Sequence, residues 1–106
     1  MAFTMKTGDT SPIVTATFKD ADLNPVNITG ATVRIHVVNL SGTTLIDEAM
    51  TVTSGPNGIA EYEWQAGDTD TAGTYKVEFE VTYSDNTVET FPNTGHEMLV
   101  IKDDLL

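Results

Sequence analysis

The residues in this chain best suited to chemistry are two acidic pairs and two histidines. Asp20 and Asp22 with Asn24 spell D-x-D-x-N, the opening of an EF-hand calcium loop. That loop needs Gly at its sixth position and a bidentate Glu at its twelfth. Pro25 and Ala31 stand there instead, so the run reads as a polar turn between strands. Asp68 and Asp70 repeat the pattern ahead of Tyr75, but no third carboxylate lies near them in sequence, and a hydrophilic corner is the expectation. His36 and His96 are the only histidines, and a metal site wants three or four ligands. A histidine-dependent triad would also need a positioned nucleophile, and no G-x-S-x-G turn is present.

Four more carboxylates, Glu61, Glu63, Glu78 and Glu80, fall on the outward phase of strand-like runs. Paired carboxylates about 5–10 Å apart can hydrolyse glycosides, but only in a walled cleft. A solvated strand face accounts for them better. The chain has no cysteine, which removes thiolate metal sites and cysteine nucleophiles. It has no phosphate-binding loop and no dinucleotide fingerprint. Asn27-Ile28-Thr29 and Asn39-Leu40-Ser41 fit the glycosylation pattern, which has meaning only on an export route. The expectation is a protein that is not an enzyme, with no cofactor and no metal site.

The elements that would position these residues are strands. Period-two alternation, the mark of a half-buried strand, recurs along the chain. Residues 13–18 place Val14, Ala16 and Phe18 on one face. Residues 31–38 place Ala31, Val33, Ile35 and Val37 on one face. A weaker segment runs over 43–53, and Ala60, Tyr62 and Trp64 alternate with Glu61 and Glu63. The clearest run is 74–83, with Tyr75, Val77, Phe79, Val81 and Tyr83 against Lys76, Glu78, Glu80 and Thr82. Short runs at 87–91 and 97–102 follow. Ser54-Gly55-Pro56-Asn57-Gly58, Ser84-Asp85-Asn86 and Pro92-Asn93-Thr94-Gly95 separate them with turn chemistry. No window has helical periodicity.

About seven short strands predict an all-β chain, an immunoglobulin-like antiparallel β-sandwich. Asp70-Thr71-Ala72-Gly73-Thr74-Tyr75 looks like the corner before strand F of such domains, where a Tyr hydroxyl bonds to upstream backbone. Trp64 is too close to Tyr75 to be the strand-C tryptophan of antibodies and is assigned to the core. The expected organisation is an N-terminal arm over 1–10, the sandwich over 11–102 and a tail over 103–106.

The 106 residues amount to one domain, and 40% hydrophobic with 20% charged residues is an ordinary globular balance. The net charge of −11 argues against nucleic acid and against anionic membrane surfaces. No stretch approaches the ~20 apolar residues of a membrane span. Residues 1–9 lack the apolar run of a signal peptide, so synthesis in a cytoplasm without export is expected.

Several segments, in order, resemble the N-terminal domain of phage baseplate upper proteins. They are Phe18-Lys19-Asp20 with Asn24-Pro25-Val26-Asn27-Ile28-Thr29-Gly30-Ala31-Thr32-Val33, then Trp64 with Asp70-Thr71-Ala72-Gly73-Thr74-Tyr75-Lys76-Val77-Glu78-Phe79, then Thr90-Phe91-Pro92-Asn93-Thr94-Gly95 with Met98-Leu99-Val100-Ile101. The resemblance covers roughly residues 7–104. It implies an immunoglobulin-like module that attaches a receptor-binding assembly to the core of a phage tail. Members continue into helical and receptor-proximal regions, so a docking module is the part implied here. The expected function is a non-enzymatic virion structural protein, made in the host cytoplasm. It would dock onto other virion proteins of the tail, baseplate or capsid surface, and multimerise through assembly. Phe3, Met5, Leu105 and Leu106 are apolar residues in the flanking segments, and these are the expected partner contacts. The rival expectation is a carbohydrate-binding adhesive module. Sugar sites favour exposed aromatics, and core phase claims Tyr62, Trp64, Tyr75, Phe79 and Tyr83, leaving Phe3 and Phe91.

Overall fold

The structure, a computed structural model, describes residues 2–105. Among these residues eight strands and no helix are formed: β1 (Ala2–Lys6), β2 (Val14–Thr17), β3 (Thr32–Asn39), β4 (Thr44–Ser54), β5 (Ile59–Tyr62), β6 (Gly73–Thr82), β7 (Val88–Phe91) and β8 (Glu97–Lys102). The order is β1-β8-β6-β3-β4-β5-β2, with β7 beside β6. The fold is the all-β sandwich expected from the alternation.

Strand β4 belongs to both layers. Its first part pairs with β3, from Val38↔Thr44 to Val33↔Met50, and its last part pairs with β5, from Thr51↔Glu61. Register shifts between Val37 and Val38 and between Val52 and Ser54 interrupt these two pairings. Such bulges bend a strand and increase its twist, which lets one strand turn the corner between sheets. The larger layer is β1-β8-β6-β3-β4 with β7, and the smaller is β4-β5-β2. Phe18, just beyond β2, closes the core between them. Its ring lies 5.8 Å from Phe79 of β6, edge-on, and 4.8 Å from Phe91 of β7.

Alternation decides which face of β6 is inside. Tyr75, Val77, Phe79 and Val81 are buried, while Glu78 is exposed and Lys76 and Glu80 are partly so. One slip of register would send all four apolar side chains to solvent, so the register is strongly fixed. Each buried Val or Phe contributes about 1.5–3 kcal/mol. The corner before β6 is formed: the Tyr75 hydroxyl donates to the Thr71 carbonyl at 2.8 Å. Trp64 is a core residue, and its indole N–H donates to the Pro12 carbonyl at 2.9 Å.

The turns follow their sequence chemistry. Gly58 closes the β4–β5 hairpin with φ +67, and a Cβ there would lie 2.5 Å from the Val26 carbonyl oxygen. Only glycine tolerates both constraints. In the β6–β7 hairpin Asn86 takes φ 70. Asp85 accepts from the Thr87 hydroxyl at 2.6 Å and from its N–H at 3.0 Å, and the hydroxyl first of all holds the Asp85 carboxyl below the ordinary aspartate range.

The N-terminal stretch differs from its expectation as an arm. Residues 2–6 are strand β1, parallel to β8 from Ala2↔Met98 to Lys6↔Lys102. This adds one parallel pair to an otherwise antiparallel fold. The physical reason is the edge of β8, whose backbone groups would otherwise be unpaired there. Met5 goes into the core and Phe3 packs against it. Beyond β1, Thr7 N–H donates to the Lys102 carbonyl and Gly8 N–H to the Thr69 carbonyl. The buried Thr69 hydroxyl donates to the Asp9 carbonyl at 2.8 Å.

Candidate docking site

The acidic turns are occupied by their own backbone. Asp20 Oδ1 accepts from Asp22 N–H and from Asn24 N–H, both at 2.9 Å. Asp68 Oδ2 accepts from the Tyr62 hydroxyl and, at 2.8 Å, from Gln65 N–H. Burial first, and then this carboxylate, push the Tyr62 phenol well above its ordinary value. Asp68 thus serves as the latch of a turn. Among the described residues, no group of three or more His, Cys, Asp or Glu side chains is placed to hold a metal ion.

His36 sits in an exposed ladder on β3 and β4. Its Nε2 lies 2.9 Å from Asp47 Oδ1, and Arg34 Nη2 is also 2.9 Å from that oxygen. The Arg34 guanidinium, hydrogen-bonded to the carboxylate, chiefly holds Asp47 below the usual aspartate value. Exposed pairs of this kind contribute little stability. His96 lies in the β7–β8 connection, far in sequence from this ladder.

Two of the concavities that face solvent border the smaller layer. One, of about 460 Å³, is polar and is lined by Glu48, Glu61, Glu63, Thr51, Tyr62 and Gln65. The other, of about 320 Å³, is a seam groove. One wall is β2 itself with Phe18 and Lys19. The opposite side is Phe3, Phe91, Pro92 and Glu97, and Phe79 also lines it. A smaller gap of about 130 Å³ continues the seam between β1 and β2, past Met5, Ile13 and Trp64. The sandwich is therefore nearly closed into a barrel, and the two strands ending the sheet order, β1 and β2, flank the opening.

Of the four terminal residues expected as partner contacts, the three described ones fall in three different environments. Met5 is committed to the core. Phe3 is half-buried and lines the seam. Leu105 is 98% exposed. Leu106 lies outside the described residues. The structure brings Phe3 together with Phe91, the other aromatic left for a sugar site, and with Thr15, Thr17 and Pro92, none of which was expected as a partner contact. Their local pattern marks them as strand and turn, and only the sheet order places them at one opening. The aromatics that a sugar site would want, Tyr62, Trp64, Tyr75 and Phe79, are buried.

Comparison with known proteins adds the family. The family model described as the BppU N-terminal domain matches residues 2–92. No curated protein matches the chain. Ten solved chains match its fold. One is CopC from Methylosinus trichosporium OB3b, 12% identical, with a TM-score of 0.59 over 99% of this chain and 87% of that one. At this identity the likeness is one of fold alone.

Proposed function

Because this chain belongs to the family of the BppU N-terminal domain, a phage baseplate family, we propose that it is a docking module that binds neighbouring proteins of the virion without carrying out catalysis. The single observation that carries this reading is the family match across residues 2–92. The geometry supports it in two ways. The carboxylates most suggestive of chemistry, Asp20 and Asp68, are tied up in holding their own turns. The features left open are surface ones: a seam between sheet ends, and exposed apolar residues such as Leu105.

The tail or baseplate is the favoured location, with decoration of the capsid surface as the other virion site. Synthesis in the host cytoplasm and multimerisation through assembly go with this reading. Of the described terminal residues, Phe3 and Leu105 are available for contact, since Met5 is spent in the core; Leu106 stays among the expected contacts.

The test is quantitative mass spectrometry of purified, fractionated virions. The expected result is the protein in the tail-tip fraction at a low copy number per particle. Hundreds of copies in the capsid fraction would move the site. Detection in the infected lysate but never in purified particles would defeat the reading.

A further inference from the structure

We propose that the seam groove accepts an extended segment of a neighbouring virion protein, which adds to the free edge of β2 as an extra strand. The proposal rests on the docking function above and names the surface and the chemistry of the partner.

Among the described residues, strand β2 has a neighbouring strand on one side only. Phe18 donates its N–H to the Gly58 carbonyl at 2.8 Å and accepts from Val26 N–H at 2.9 Å. Backbone groups alternate in direction along an antiparallel strand. Thr17 and Thr15, one and three residues earlier, therefore turn their N–H and C=O away from β5, toward the open side. Those are the groups that an added strand uses.

The groove beside that edge supplies the second half of such a site. An added strand would alternate like β2, with one set of side chains directed to the core side. On that side lie Phe18, Phe79, Phe91 and Phe3. Apolar residues at every second position of the incoming segment would cover the half-buried Phe3 ring and the narrow edges of Phe91, Phe79 and Phe18 that reach the groove. A helix has no free backbone groups along its length to offer the bare edge. The edge and the aromatic floor together select an extended segment.

Charge selects its source. Two copies of this chain each carry −11, which opposes self-pairing through the same edge. A segment with Lys or Arg at its outward positions would be attracted instead. Its outward residues would lie about 10 Å, two strand spacings, from Glu61, the residue paired with Thr15 on β5. The occupant is thus a partner strand that alternates apolar and basic residues.

Thr17→Pro in the full-length protein is the decisive variant. Proline at an outward-facing edge position removes the outward donor without costing a ladder bond, so the fold is retained. Incorporation into virions should fall at least about tenfold, the effect of losing roughly one hydrogen bond and adding a clash. Normal incorporation of folded Thr17→Pro would overturn the proposal while leaving virion membership intact. Absence of the wild-type protein from virions would instead count against the docking reading itself. The groove is then judged by a synthetic peptide alternating Lys and Val. Amide hydrogen exchange should slow at Thr15 and Thr17 when the peptide binds, and a Glu-Val peptide should bind at least about tenfold more weakly. The same exchange measurement decides the matter should Thr17→Pro fail to fold. Unchanged exchange at Thr15 and Thr17, or equal binding of the two peptides, would overturn the proposal.

Discussion

Strands β6 and β2 carry the same alternation of apolar and polar residues, yet they occupy opposite situations. β6 has β3 along one side and β7 and β8 sharing the other, so its backbone is paired on both edges. β2 is paired on one edge and borders an open groove on the other. Alternation fixes which face of a strand is buried. It carries no information on whether the strand's edges are satisfied. Burial and pairing are accordingly complete at β6, and the proposed binding edge lies at β2.

The sharpest way to break this contrast is to cut into the β6 side of the core. Phe79→Ala should lower stability by about 3–5 kcal/mol in a denaturant titration, because it leaves a cavity facing Phe18. A loss under 1 kcal/mol would mean that β6 does not anchor the fold. Removing residues 1–6 should cost less, about 2–3 kcal/mol, since it gives up the burial of Met5 and the β1–β8 ladder. An unchanged denaturation midpoint would return that stretch to the status of an arm. Leu105→Ala, by contrast, should stay within about ±0.5 kcal/mol, as exposed substitutions do.

Tyr62 sharpens the comparison on the β5 side. Its phenol is raised in the folded state, chiefly by burial and next by Asp68. Folding therefore favours the protonated form. The stability this contributes is complete below the ordinary tyrosine value of about 10 and is lost as pH rises above it. Tyr62→Phe should cost about 1 kcal/mol at neutral pH and flatten the alkaline decline, as read by thermal melts from pH 8 to 12. An equally steep decline in the variant would assign it to another group.

The smallest effect belongs to the exposed ladder. In Arg34→Ala the Asp47 carboxyl should titrate closer to the ordinary aspartate value, followed by NMR, because its main hydrogen-bond donor is gone. The folded-state value is depressed, so its contribution is present above the ordinary aspartate value and fades as pH falls through the depressed one. At pH 7 the melting temperature should hardly move. A large fall would show the ladder to be structural.

Much of the strand pattern was legible. The β6 alternation and the Tyr75 corner depend on residues close in sequence, as does the turn chemistry at Gly58, and with the core role of Trp64 they stand as expected. The bond from Trp64 to the Pro12 carbonyl joins residues distant in sequence. Strand β1 was not legible as a strand. Phe3 and Met5 alternate for only a few residues, and their partner β8 lies at the other end of the chain. Asp68 could be read as a corner residue, but its bond to Tyr62 depends on how the loop folds back.

The sequence by itself determined the strand class, the inward faces and the turns, because side-chain alternation and turn propensities act over a few residues; the family was carried separately, by the order of its resembling segments. Tertiary structure alone decided that β4 joins two layers, that β1 caps β8, and that β2 ends the sheet with Thr15 and Thr17 facing a gap. Those are outcomes of pairing between distant segments. The backbone groups that make such pairs are the same in every residue except proline, so the sequence does not mark which edge is left over.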